Sequence, residues 1–138
     1  MDEKIIIVKG SMHNCRYGKV TKKDKEDKYR FSIKLNPEDM TDTFYAQFEE
    51  VYMNMSDSFT PTWLKERNGY INQASLYDFK VELPDGSRID FSEALKTIDN
   101  LNGSIGQFKL KLKEGSIYPV AVKLSEFGEE SNLFEGFE

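Results

Sequence analysis

The residues that could do chemistry are few. His13 and Cys15 stand two positions apart, a spacing that invites a metal or a thiol–imidazole nucleophile. They are the chain's one histidine and one cysteine, so the usual zinc ligand sets are incomplete. Asp78, Glu82, Asp85 and Asp90 surround one turn and resemble the carboxylate pairs that hold magnesium, yet their alternation reads better as the polar face of a hairpin. Gly103-Ser104-Ile105-Gly106 lacks the spacing and the lysine of a phosphate-binding loop. The expectation is a protein without catalysis, metal or cofactor.

Binding chemistry is better represented. In residues 28–35 (KYRFSIKL), Lys28, Arg30 and Lys34 alternate with Tyr29, Phe31, Ile33 and Leu35. In residues 107–113 (QFKLKLK), Lys109, Lys111 and Lys113 alternate with Phe108, Leu110 and Leu112 in the same way. Arg16, Lys19, Lys22 and Lys23 lie in the stretch leading to the first strip. Three cations on one strand face repel one another unless anions stand opposite. A positive groove with aromatic faces for stacking is what single-stranded nucleic acid requires. Tyr17, Trp63, Tyr70 and Tyr118 are the candidate stacking residues, and Tyr29 and Phe31 fall on the apolar face and read as core.

The elements that must position these residues are mostly strands. Residues 4–9 (KIIIVK) read as a buried strand, residues 10–18 as irregular and residues 19–28 as a charged loop. Asn36, Pro37, Glu38 and Asp39 make a helix start, and apolar residues recur at helical spacing to Met55. Residues 56–73 read as an irregular insertion. A hairpin spans residues 77–83 and 87–91 around Pro84-Asp85-Gly86, and a short helix capped by Ser92 covers residues 93–101. A final hairpin turns at Glu114-Gly115 and returns through residues 117–124. Five or six strands with one main helix in the middle predict a mostly β chain with an inserted helix. A small OB-like β-barrel is the commonest such arrangement, although element order alone does not separate it from other α+β rolls.

Charge is sorted along the chain. Residues 4–34 hold ten basic against three acidic residues, residues 104–125 four against one, and residues 35–103 five against thirteen. Residues 126–138 carry five glutamates and no base, and their isolated phenylalanines have no regular period, so a disordered acidic tail is expected. Glu129, Glu130, Phe134 and Phe137 are its candidate partner-binding residues. The division is therefore a domain over 1–125, with helix and insertion at about 37–75, and a tail over 126–138. The opening MDEKIII lacks the pattern of a signal peptide and no apolar run approaches a membrane span, so a cytoplasmic protein with no membrane contact is expected.

These patterns together resemble bacteriophage-encoded single-stranded DNA-binding proteins of the OB-fold type: YRFSIKLNPEDM after the basic GKVTKKDK, NGSIGQFKLKL followed by PVAVKLSEF, and a tail ending in FEGFE. The resemblance covers the first 35 and last 36 residues and hardly touches the middle. It implies a five-stranded OB barrel, sequence-independent binding of single strands in replication or recombination within a bacterial host, and an acidic arm that recruits partner proteins and shields the groove. Lys28, Arg30, Lys109, Lys111 and Lys113 match the basic strand positions, and Phe134 and Phe137 the aromatic end of the tail. Two departures stand out: the chain ends in Glu138 after Phe137, and its long middle helix and insertion can reshape the groove or form a homodimer surface. The alternative reading is a small phage inhibitor or protein-interaction module whose acidic surface mimics DNA.

Overall fold

Alternation of apolar and polar residues, with β-branched and aromatic side chains at the inward positions, drives most of this chain into strands. The computed structural model describes residues 2–19 and 26–128. Within them, β1 (Lys4–Gly18), β2 (Lys28–Leu35), β3 (Tyr70–Ser75), β4 (Lys80–Glu82), β5 (Arg88–Asp90), β6 (Ile105–Lys113) and β7 (Ser116–Glu126) form one seven-stranded sheet in the order β3-β2-β1-β6-β7-β4-β5. Every neighbouring pair is antiparallel except β4 and β7, which run parallel. The sheet curls until β3 lies beside β7, but the two are not hydrogen-bonded and the sheet stays open.

The curl has a local cause. Gly10 and Gly106 stand opposite each other on β1 and β6. A methyl group on Gly10 would strike the Lys34 carbonyl oxygen, and one on Gly106 the Lys123 carbonyl oxygen. Bare backbone is therefore required where neighbouring strands approach this closely. Further along β1 a bulge inserts Asn14 and Cys15 between the Arg16–Arg30 and His13–Ser32 pairs. Asn14 takes φ +54°, a region asparagine tolerates better than most residues, and the Cys15 N–H freed from the ladder donates to Asn102 Oδ1 at 2.9 Å.

The inner face of the sheet carries the core, where Phe31 stacks on Phe108 at 5.8 Å and Phe79 on Phe91 at 4.7 Å. The helix α1 (Asp42–Tyr52) lays Tyr45, Phe48 and Val51 into this core. The shorter α2 (Thr62–Glu66) adds Trp63 and Leu64, and α3 (Phe91–Thr97) adds Phe91 and Ala94.

Several expectations need correction. Residues 10–18 are strand rather than irregular, because β1 continues through the bulge. The helix predicted from Pro37 to Met55 is instead a 3-10 turn at Pro37–Asp39 followed by α1. Thr41, not Asn36, caps α1 by accepting the Phe44 N–H at 3.1 Å, and a hydroxyl held this way cannot sit inside a helix. At the other end the Gly115 N–H, from the β6–β7 turn, donates to the Val51 carbonyl at 2.9 Å near the helix's close. The insertion at 56–73 contains a 3-10 turn at Asp57–Phe59, α2 and most of β3. The last helix begins at Phe91 and ends at Thr97, short of the predicted Leu101, and Asp78 rather than Ser92 serves its start by accepting the Ser92 N–H at 3.2 Å. The folded body also runs past residue 125: Phe127 packs on the core and the Gly128 N–H donates to the Asn100 carbonyl at 3.0 Å.

Candidate nucleic-acid interface

The outer face of the sheet is read most simply along β1. Its outward residues meet neighbours in successive rungs: Ile5 with Lys111, Ile7 with Lys109, Lys9 with Gln107, Ser11 with Lys34 and Ile105, His13 with Ser32, and Arg16 with Arg30. Lys34 stands in turn opposite Tyr70 on β3, and Ser32 opposite Asn72. The two basic strips found in the sequence thus share one face but not one groove. β1 lies between them, and they are centred toward opposite ends of it, with their nearest members, Lys109 opposite Ile7 and Lys34 opposite Ser11, about 13 Å apart along the strand. Lys9, absent from the sequence reading, joins them. The β-branched run of residues 4–9 predicts a buried strand, which hides this outward lysine in the sequence.

Around the β2–β3 half of this face, cations and rings alternate. The His13 ring meets the edge of Tyr70 at a centroid distance of 6.5 Å, and Tyr70 is partly open to solvent. Burial, and then the nearby Lys34 ammonium, holds the His13 imidazole below its ordinary pKa, so the ring is neutral near pH 7. Its Nε2 lies 2.7 Å from Ser11 Oγ. Ser32 Oγ donates to Asn72 Oδ1 at 2.7 Å. Arg30 Nε donates to the Gly18 carbonyl at 2.9 Å and an Arg16 guanidinium N–H to the Asn14 carbonyl at 2.6 Å, which fixes both guanidiniums at the bulge.

The other predicted residues scatter. Tyr17 is exposed and its ring lies 4.6 Å from that of Tyr29, so it presents one supported face to solvent. Tyr77, unnoticed in the sequence, is 80% exposed close by in the chain from Ser75, the partner of Tyr29. Lys19 is exposed just past β1, and Lys28 is half-buried opposite Gly18. Lys111 is held by Glu3 at 2.9 Å, while the Lys113 ammonium sits 5.4 Å over the Tyr118 ring at the hairpin tip. Trp63, expected in an open polar insertion, is 5% exposed and packs edge-on against Phe48, so it offers no open stacking surface. Lys22, Lys23 and the tail residues Glu129, Glu130, Phe134 and Phe137 lie outside the described residues.

Beside the bulge is a cavity of about 820 Å³, within the usual size of a ligand pocket. Arg16, Arg30, Ser32 and Asn72 of the outer face contribute to its lining, and so do Gln73, Trp63, Tyr52 and Ile117 from the inner side. Cys15 lines it as well, and burial pushes that thiol up to about 12, which removes it as a nucleophile at neutral pH. Among the described residues no group of three or more histidine, cysteine or carboxylate side chains could hold a metal. The carboxylates suspected of metal binding have other uses: Asp78 accepts the Phe79 and Ser92 N–H groups, Asp85 accepts from Ser87, and Glu82 and Asp90 form ion pairs with Arg88 and Lys80.

Comparison with protein-family models, with characterised proteins and with solved structures finds no match for this chain.

Proposed function

We propose that the chain binds single-stranded DNA along the outer face of β1, β2 and β3, largely without regard to sequence, as an accessory in replication or recombination. The carrying observation is that Lys9, Lys34, Arg16 and Arg30 fall on the same outer face as the Tyr70–His13 ring pair. Cations for phosphates beside rings for bases are the two requirements of single-strand binding. The order β3-β2-β1-β6-β7, with β3 brought beside β7, supports reading these five strands as a partly open OB-type barrel, with β4, β5 and α3 added between its third and fourth strands. On that reading the outer face of β2 and β3 is where a strand lies. The acidic tail then serves partner proteins, as its composition suggests.

A DNA-mimicking inhibitor needs its carboxylates free and spread over a surface. Four of the thirteen in the acidic middle instead face cations: Asp42 and Glu49 meet Arg67, Glu82 meets Arg88 and Lys123, and Asp90 meets Lys80. This favours the binding reading.

The test is fluorescence anisotropy of a labelled oligo-dT titrated with the full chain at several salt concentrations. Neutralising about four phosphates releases counterions enough to make the logarithm of affinity fall with that of salt at a slope of about −3. Saturable, salt-sensitive binding is the expected result. Absence of binding even at low salt overturns the proposal.

A further inference from the structure

His13, the chain's one histidine, stands half-buried in the middle of the outer face. Its partner across the ladder is Ser32, and Lys34 and Arg30 flank that serine on the same face of β2. Tyr70, opposite Lys34 on β3, meets the imidazole at 6.5 Å. On its other side the imidazole lines a cavity of about 430 Å³, to which Glu126 brings a carboxylate. A group that titrates near neutrality thus lies among the cations offered to the strand. The Ser11 Oγ contact to Nε2 serves both protonation states, since a hydroxyl donates to a neutral ring nitrogen and accepts from a protonated one. What opposes the proton is burial and then the Lys34 ammonium. A phosphate beside Lys34 offsets the second of these and adds an attraction of its own.

We infer that His13 is a proton-linked member of the strand-binding face: when a phosphate settles beside Lys34, the imidazole takes up a proton from solvent and becomes a further cation for that phosphate. Binding and protonation then favour each other equally, because the coupling between two bound species is reciprocal. The inference rests on the outer-face reading proposed above and adds a pH dependence to it.

A single histidine gives an unambiguous readout. NMR of the His13 ring across pH, in the full chain with and without saturating oligo-dT, should show its pKa raised by about half a unit to one unit in the complex. Such a rise corresponds to roughly three- to tenfold in affinity between the protonated and the neutral ring. Thymine does not titrate near neutrality, so anisotropy with labelled oligo-dT isolates the protein's part. Affinity should rise as pH falls from about 8 to about 5.5, and the salt slope should steepen by up to about 0.7, the share of one added cation. His13→Gln cannot take up the proton, and its affinity should not change between the two pH values. The NMR measurement needs no variant, so it decides the matter even where the substitution weakens folding. An unmoved pKa in the complex, or equal affinities at the two pH values, overturns the proton-linked role and leaves the outer-face reading standing. An equal gain in His13→Gln overturns the role of His13. No binding of oligo-dT at either pH overturns both proposals.

Discussion

At the scale of single residues, the environment of each titratable side chain sets what it can do. Cys15 is the clearest case: with its thiol pushed to about 12 by burial, its thiolate fraction at pH 8 is roughly a thousandfold below that of an ordinary cysteine. The native protein should accordingly react with a disulfide reagent at least about a hundredfold slower than the urea-unfolded chain, as followed by absorbance of the released thiolate; equal rates contradict its placement against the core. His13 gives the pH dependence. Its folded pKa lies below the unfolded value, so the unfolded chain takes up the proton first as pH falls through about 6.5. Its contribution to stability is therefore complete above that pH and lost as pH falls through the folded pKa. Lys34→Met should move the His13 titration upward in NMR, but not fully to the ordinary value, since burial is the larger cause and Lys34 the smaller. An unmoved titration contradicts the closeness of the two side chains. Sequence alone pointed to Lys34, Arg16 and Arg30. It misjudged Trp63, because a tryptophan in an apparently irregular stretch carries no sign of its burial.

At the scale of elements, the alternating strips fixed which side chains of β2 and β6 point inward, and the Glu114-Gly115 turn was legible from the freedom glycine has at φ +78°. Pattern does not record distance, however. The reach of β1 through residues 10–18 escaped the reading because a bulge breaks the period of two just where the strand is most informative. The split of the first helix escaped it because a capping threonine and an interior one look alike in sequence. The glycine pair at the curl is testable here. Gly10→Ala places a methyl group against a backbone carbonyl that cannot move without shifting β2, so it should cost about 1–3 kcal/mol in urea unfolding, comparable to overpacking a core. Gly18→Ala, with nothing within 4 Å of the added carbon but φ +150°, is the control for backbone conformation alone. A Gly10→Ala variant as stable as the natural chain contradicts the close approach that curls the sheet.

At the scale of the molecule, the charge blocks of the sequence resolve into faces with different fates. Four carboxylates of the acidic middle, Asp42, Glu49, Glu82 and Asp90, form ion pairs around α1, α2 and the β4–β5 hairpin, and cations of β1 and β2 fall on one outer surface. In the proposed binding, position on that surface matters more than total charge. The most direct test is a pair of double charge reversals with the same change in net charge. Lys9→Glu with Lys34→Glu alters the outer face, and Lys65→Glu with Lys96→Glu alters exposed positions on α2 and α3. Anisotropy with labelled oligo-dT at fixed low salt should show at least about a tenfold loss of affinity for the first pair and less than about threefold for the second. Equal losses, or none in either, contradict a single-strand path along the outer face of β1 and β2.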